Sequence, residues 1–318
     1  MKLRSFLIFL NLEPAGFLNS SLMKIARNRK QFSVRAGKFN LHLGKRTFLM
    51  GIVNLTEDSF SQDGLLKGNT ARSLAIKKAV HLARQMENQG ADIIDIGAES
   101  TRPGSRPISI SEEIARLIPT IKKITAQIGI PISVDTYKSE VAKEAIDAGA
   151  SIINNVFGTK AQYNSKLAQI CAKKNTALII MHIRGMPLDM QKQTKYKSLI
   201  SEIIKDLKAA ITCALDAGLD SRNIIVDPGI GFAKTLNQNL EIINRLNEFE
   251  SLKKPILIGL SRKSFIGKLL NLDVKNRIFG TAASVAFAIA CGCHIVRVHD
   301  VGQMRQVACV SDAILNYK

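Results

Sequence analysis

The amino-acid sequence predicts an α/β protein built as one (β/α)8 barrel. After the first forty residues, short apolar runs rich in β-branched residues alternate eight times with longer amphipathic stretches. Such barrels typically need about 250 residues, and residues 47–318 provide a segment of that size. An open doubly wound sheet usually shows a G-x-G-x-x-G turn after its first strand. No such turn follows Asn54, so the closed barrel is favoured.

The eight predicted strands are bounded by turn residues, and a helical pattern follows each. They are residues 48–54, 92–97, 132–135, 151–155, 177–182, 223–227, 256–260 and 294–299. The segment 70–89 illustrates the helices, because its apolar residues recur at three-four spacing. These residues are Leu74, Ala75, Ala79, Leu82, Ala83 and Met86.

The chain is divided into a basic N-terminal extension, residues 1–30, and a barrel domain, residues 31–318. The formal net charge of the chain is +19, and residues 1–46 contain ten Lys or Arg and one Glu. Residues 32–43 fit a hairpin with Gly37 at its turn, closing the lower mouth of the barrel. Residues 1–30 are interpreted as a disordered tail or a misread start, with Met23 as the alternative initiator, and an organellar presequence is a second reading.

The predicted surroundings are cytoplasmic. Five cysteines, an odd number without the spacing of a disulfide framework, fit a reducing compartment. The apolar run 6–12 is too short to cross a membrane. Cys291 and Cys293 form a C-x-C pair that we interpret as buried core thiols and not as metal ligands. Nucleic acid is not expected as a partner despite the charge, because Trp is absent and no binding motif is recognised.

Polar residues stand at the carboxyl end of every predicted strand, where barrel active sites are built. They are Asn54, Glu99 with Thr101 and Arg102, Asp135, Asn154 with Asn155, His182 with Arg184, Asp227, residues 261–263, and Arg297 with His299. Carboxylates can accept paired N–H donors of a heterocycle. An amide oxygen suits a hard cation such as Mg2+. The basic turns that follow two strands indicate a substrate with more than one anionic group.

The motifs at these strand ends resemble those of the dihydropteroate synthase family. The signature segments are MGIVNLTEDSFS at residues 50–61 and GADIIDIGAESTRPGS at residues 90–105. Further matches follow in family order: SVDT at 133–136, Ile153 with Asn154, Met181 and His182 with Gly185 and Pro187, DPGIGFAK at 227–234, SRKS at 261–264, GTAAS at 280–284 and RVHD at 297–300. The resemblance implies a magnesium-dependent barrel, usually a homodimer and a sulfonamide target, that joins p-aminobenzoate to 6-hydroxymethyl-7,8-dihydropterin diphosphate.

The resemblance also implies a role for each matching residue. The pterin-binding set is Asp135, Asn154, Asp227 and Lys263. Asn54 matches the residue on the magnesium side, and the diphosphate set is Arg102, Arg297 and His299. The p-aminobenzoate set is Phe60, Thr101, Pro103, Phe232 and Ser264. The expected catalytic residues are Asn54, Arg102, Lys263, Arg297 and His299, and the loop 57–68 is a candidate lid.

Three positions depart from the commoner family pattern, namely Glu57, Asn155 and Ile230. None of them removes a residue that the resemblance assigns to the site.

Two other functions are alternatives to the synthase. A pterin-dependent methyltransferase on a similar barrel would share the pterin acceptors but would not need the 261–264 turn or the pair Arg297 and His299. A catalytically silent barrel is disfavoured by the intact set of site residues.

Overall fold

The computed structural model describes residues 29–56, 72–100 and 105–317. Their strands are β1 Phe32–Ala36, β2 Phe39–Leu43, β3 Phe48–Asn54, β4 Ile93–Gly97, β5 Ile132–Asp135, β6 Ile152–Asn155, β7 Ala177–Met181, β8 Ile224–Asp227, β9 Leu257–Gly259 and β10 Ile295–Val298. Their α-helices are α1 Arg72–Asn88, α2 Ile110–Thr125, α3 Ser139–Asp147, α4 Ala161–Lys174, α5 Leu199–Asp216, α6 Leu236–Asn244, α7 Ser264–Leu270, α8 Ile278–Ala290 and α9 Val301–Asn316. None of the helices in these ranges has the length and apolar content needed to cross a membrane.

Strands β3 to β10 form one parallel sheet that curls into the predicted barrel. The order around the sheet is β8-β7-β6-β5-β4-β3-β10-β9. A parallel bridge between Val226 and Ile256 joins its two ends, and the amide of Val226 donates to Pro255 O over 3.0 Å. Each of the eight strands lies within its predicted segment. The carboxyl ends of all eight therefore meet at one mouth.

The helices cover the outside of the barrel. On α1, Ala75, Ala79, Ala83 and Met86 are buried as the periodicity predicts, whereas Leu74 lies at the edge of that face and is 46% exposed. The unit between β9 and β10 contains two helices, α7 and α8, instead of the single helix expected. Asn271 ends α7 because it adopts a left-handed conformation with φ of 53°.

The predicted N-terminal hairpin closes the lower end of the barrel. β1 and β2 pair antiparallel around Gly37, whose φ is 60°. Val34, Ala36, Leu41 and Leu43 are buried against inward-facing residues at the starts of the barrel strands. Those residues are Met50, Ile93, Ile152, Ala177, Ile179, Ile225, Leu257 and Ile295. The hairpin is therefore a floor of the barrel interior.

Arg29 joins the start of the described chain to the lower side of the barrel. Its guanidinium donates to Thr47 Oγ1 over 2.7 Å, to Cys293 O over 2.9 Å and to Asp312 Oδ1 over 2.5 Å. Only 3% of the Arg29 side chain is exposed. Cys291 and Cys293 are buried free thiols, as predicted, and burial raises the pKa of Cys293 to about 12.

Candidate active site

Arg297 lies at the centre of the charged groups in the barrel mouth. Its Nε donates to Asp95 Oδ2 over 2.6 Å, and its Nη2 donates to Asp135 Oδ2 over 3.3 Å. Asn154 Nδ2 donates to the same Asp95 oxygen over 3.2 Å. Register explains the cluster, because Gly97 of β4 pairs with Asp135 of β5, and Asp135 pairs with Asn154 of β6.

Asp95 and Asp135 both accept from the Arg297 guanidinium, but their hydrogen bonds differ in length. Asp95 is fully buried and takes the shorter bond. Burial raises the pKa of Asp135 to about 7; Arg297 acts against this shift and the Asp95 charge adds to it. Asp135 is thus a carboxyl group whose ionisation depends on what enters the mouth.

Asp227 is the second acceptor at the strand ends, and it is 6% exposed. Its Oδ1 accepts from the amide of Gly229 over 2.7 Å. Burial raises its pKa to about 6, whereas that amide and the nearby Lys263 and Lys234 ammonium groups lower it. Proline at 228 and two glycines with positive φ, Gly229 and Gly231, turn the chain sharply after β8.

The turn 261–264 presents Lys263 through an unusual backbone conformation. Arg262 adopts φ of 57° and forms two bonds to Asp300 through Nε and Nη2, of 3.0 and 2.5 Å. Arg277 Nη1 donates to Arg262 O over 3.0 Å. Gly267 lies directly under the Arg277 guanidinium, where a Cβ atom would overlap it. The contacts with Asp300 and Arg277 hold the turn in this conformation.

Lys263 extends from this turn towards the β8 loop. Its Nζ lies 4.4 Å from the centroid of the Phe232 ring, a cation–π distance. Burial lowers the pKa of Lys263 to about 8, and Asp227 raises it. Lys263, Phe232 and Asp227 therefore line the part of the mouth that follows β8 and β9. The Arg297 cluster is next to it, because β9 pairs with β10 in the closed sheet.

His299 and Asn54 complete the described part of the mouth. The Ser261 hydroxyl lies 3.0 Å from His299 Nδ1 and 3.2 Å from the His299 amide, which donates to it. Ser261 therefore contacts both the backbone and the ring of His299 and orients the imidazole. Asn54 ends β3, which lies between β10 and β4.

The predictions for Phe60, Thr101, Arg102 and Pro103 lie outside the described residues, as does the candidate lid at 57–68. The described predictions come together in the mouth: Asn54, Asp135, Asn154, Asp227, Phe232, Lys263, Ser264, Arg297 and His299. Two residues that contribute were given no role from sequence, Asp95 and Lys234. A lone carboxylate in the apolar strand 93–97 was the available signal for Asp95, since a buried charge requires a partner.

A closed parallel barrel with carboxylate, amide, lysine and arginine groups at its mouth is typical of (β/α)8-barrel enzymes. Residues 50–299 match the pterin binding enzyme family. A dihydropteroate synthase of Bacillus subtilis is 45% identical over 272 residues, which cover 86% of this chain and 90% of that protein. The chain belongs to the dihydropteroate synthase family. Its reaction is the condensation of p-aminobenzoate with 6-hydroxymethyl-7,8-dihydropterin diphosphate in folate biosynthesis.

Solved structures show the same architecture. The dihydropteroate synthase of Clostridium difficile, crystallised in the presence of pteroic acid, has a TM-score of 0.77 and 41% identity, covering 86% of this chain and 99% of that one. The Xanthomonas albilineans enzyme with 4-aminobenzoic acid has a TM-score of 0.81 and 33% identity, covering 91% and 100%.

Proposed function

We propose that the chain makes 7,8-dihydropteroate in the mouth between the Arg297 cluster and the Lys263–Phe232 pair. The observation that carries this proposal is the division of the site into two chemically different parts. One part offers the oxygen acceptors Asp135 and Asp227, and the other offers a hydroxyl at a helix start and an aromatic ring, Ser264 and Phe232. Lys263 adjoins both parts, since it contacts the Phe232 ring and lowers the pKa of Asp227.

The pterin ring is proposed to bind to Asp135, Asn154, Asp227 and Lys263. Both carboxyl groups lie at strand ends, and burial raises the pKa of each. A heterocycle that donates paired N–H groups would stabilise their ionised forms. Asn154 is 4% exposed and already donates to Asp95, so its amide oxygen is fixed in orientation and can accept from the ligand.

The aminobenzoate is proposed to bind beside Phe232 with its carboxylate on Ser264. Ser264 is the first residue of α7, where a hydroxyl and backbone N–H groups can bind a carboxylate together. Thr101, Pro103 and Phe60 are proposed for the same subsite from the family resemblance. The diphosphate would be held by Arg102, Arg297 and His299, which supply cationic or N–H donor groups.

This chemistry requires no protein nucleophile. The arylamine nitrogen forms a bond to the pterin methylene carbon as the C–O bond to the diphosphate breaks, and the bonding electrons leave with the diphosphate. The nitrogen then loses one proton to the diphosphate or to solvent. Arg297 and His299 are positioned to stabilise that developing charge. Asp135 and Asp227 hold the pterin in place, and the closed floor excludes water from below.

Magnesium is proposed as the cofactor, with Asn54 as its protein ligand. The donor set fits this ion, because Asn54 supplies a hard amide oxygen at the strand end next to β10, which carries Arg297. Mg2+ commonly binds few protein oxygens together with substrate phosphates. When bound, it would neutralise charge on the leaving diphosphate.

The decisive experiment measures aminobenzoate-dependent formation of dihydropteroate by mass spectrometry, followed by steady-state kinetics with each substrate varied. Ser264→Ala should lower aminobenzoate affinity by about 10- to 150-fold, with pterin binding nearly unchanged, because one charge-assisted hydrogen bond is lost. Lys263→Ala should weaken pterin binding first. Equal damage to both substrates from Ser264→Ala would contradict the proposed division, and a wild-type enzyme without aminobenzoate-dependent turnover would favour the methyltransferase or the silent barrel.

A homodimer is also proposed. Helices α8 and α9 are neighbours on the barrel surface and expose apolar side chains at Phe279, Val310 and Ile314, which are 84%, 61% and 70% exposed. Such a patch is typical of a protein interface. Light scattering should give twice the chain mass for the wild type and the chain mass for Val310→Glu. A cytoplasmic location is proposed from the five free thiols.

A further inference from the structure

Lys234 is a buried ammonium group for which the reaction proposed above has no role. It is 4% exposed. Its Nζ donates to Phe232 O over 2.9 Å and lies 3.1 Å from His182 Nδ1. The other ring nitrogen, His182 Nε2, lies 3.2 Å from Asp206 Oδ2 on α5. A chain of polar groups thus runs from the loop after β8 to a helix on the outside of the barrel.

The chemistry of these groups fixes their hydrogen-bond directions. Burial lowers the pKa of His182 to about 4, so its ring is neutral near pH 7. An ammonium group only donates, and His182 Nδ1 must therefore accept from Lys234. The ring hydrogen is then on Nε2 and is donated to Asp206. Burial lowers the pKa of Lys234 to about 7, whereas the Asp227 carboxylate and, more weakly, the Asp206 carboxylate beyond the neutral imidazole raise it.

The loop held by Lys234 has little freedom elsewhere. Gly229 adopts φ of 73°, and a Cβ atom there would overlap the carbonyl oxygen of His182. Ala233 adopts φ of 53°, and its carbonyl accepts from Tyr196 Oη over 3.2 Å. Between these two points lies Phe232, whose own carbonyl is the acceptor of Lys234 and whose ring contacts Lys263.

We propose that Lys234 is a positioning residue for the second substrate. By binding the Phe232 carbonyl, with His182 and Asp206 as its counter-ion chain, Lys234 holds the Phe232 ring against Lys263 and so shapes the wall on which the aminobenzoate packs. This inference rests on the assignment of Phe232 to the aminobenzoate subsite under the proposed function.

A buried lysine can also serve the fold alone, and the chain contains a matched example. Lys254 is 7% exposed and donates to Ser221 O over 2.5 Å and to the Ser221 hydroxyl. Ser221 begins the short 3-10 helix that precedes β8, at the opposite end of that strand from Asp227. Lys254→Met therefore removes an equally buried ammonium group from the lower side of the barrel.

The test compares Lys234→Met, Phe232→Ala, the double variant and Lys254→Met in steady-state kinetics. Lys234→Met should raise KM for aminobenzoate about tenfold, as expected for loss of one charged hydrogen bond. The value of kcat should stay within about threefold of wild type, and the pterin KM should rise by no more than about threefold, because Lys234 also lowers the pKa of Asp227. The double variant should be no worse than the more affected single variant, because both act through one ring. Lys254→Met should lower thermal stability without changing either KM.

An unchanged aminobenzoate KM in Lys234→Met, an equal rise for both substrates, or fully additive effects in the double variant would overturn the inference. A wrong assignment of Phe232 would give a different result, because Phe232→Ala would then leave the aminobenzoate KM unchanged. A rise in the aminobenzoate KM of Lys234→Met alone would show that Lys234 does not act through Phe232. If Lys234→Met does not fold, Asp206→Ala at the exposed end of the chain replaces it. That variant should raise the aminobenzoate KM by about two- to fivefold, and an unchanged KM would count against the inference.

Discussion

At the scale of single residues, Arg297 divides its charge between two carboxylates of different burial. Asp95 lies inside the barrel and takes the stronger bond, whereas Asp135 faces the mouth and retains a weaker one. The Arg297 side chain therefore remains fixed when Asp135 changes its partner. This arrangement lets Asp135 bind a ligand without leaving a buried guanidinium unpaired.

We expect Asp135→Asn to weaken pterin binding while the fold stays intact. The amide replaces one acceptor oxygen by a donor that faces a donor, at a cost of about 1–3 kcal/mol. Calorimetry with 6-hydroxymethylpterin measures the change, and circular dichroism checks the fold. Unchanged affinity in the folded variant would remove Asp135 from the pterin site.

A pH dependence of pterin binding is expected from Asp227. Burial raises the pKa of its carboxyl group to about 6 in the free enzyme, and the ligand requires the ionised form. Protons then compete as the pH falls through 6, so affinity should drop about tenfold between pH 7 and pH 5. The raised pKa of Asp135 acts in the same direction, because that carboxyl group is also protonated as the pH falls. Calorimetry should use 6-hydroxymethylpterin, because a diphosphate titrates in this range; constant or higher affinity at pH 5 would refute the expectation.

The sequence predicted the residues at the strand ends because hydrophobic period locates each strand and barrel topology brings the ends together. Sequence could not predict which of them pair. Arg297 and Asp95 are 202 residues apart, and their contact depends on the closure of the sheet between β10, β3 and β4. The link from Lys234 through His182 to Asp206 also joins distant residues, with separations of 52 and 24. The sequence therefore shows the DPGIGFAK motif but not the partner of its lysine.

At the scale of elements, the turn between β9 and α7 is supported by a helix that follows it. Arg277 precedes α8 and donates to Arg262 O, while its guanidinium lies over Gly267 of α7. Glycine at 267 is therefore required by a neighbouring side chain and not by its own backbone angles. The second helix of this unit, absent from the predicted pattern, supports the turn that presents Lys263.

Gly267→Ala should destabilise the protein although alanine is the better helix former. The added methyl group displaces Arg277, and the expected loss is about 1–3 kcal/mol of unfolding free energy with weaker pterin binding. Denaturant unfolding and calorimetry measure both effects. Gly302→Ala in α9 is the control, because its Cβ would meet only the flexible Gln89 side chain. Equal stability of the two variants would argue against the support by Arg277.

At the scale of the whole molecule, the described chain is anchored to the barrel from Arg29 onwards. Asp312 of α9 accepts from Arg29, from the Thr47 amide over 2.6 Å and from the Thr47 hydroxyl over 2.9 Å. One buried carboxylate thus joins the N-terminal segment, the first barrel strand and the last helix.

Deleting residues 1–22 should leave melting temperature and activity unchanged, because these described contacts all remain. Arg29→Ala should lower unfolding free energy by about 3–5 kcal/mol, since it leaves the Asp312 charge buried and unpaired. Differential scanning calorimetry of both proteins tests the contrast. A loss of several degrees in melting temperature on deletion would show that residues 1–22 pack on the barrel. An unchanged unfolding free energy in Arg29→Ala would show that Arg29 does not stabilise the fold.

The hairpin beneath the barrel makes the interior a dead end. Anything that reaches Asp135 and Asp227 must enter and leave by the mouth at the carboxyl ends of the strands. If the pterin binds to Asp135 and Asp227, an aminobenzoate that binds first would block its entry. We therefore expect the pterin to bind first and the joined product to leave through the same mouth.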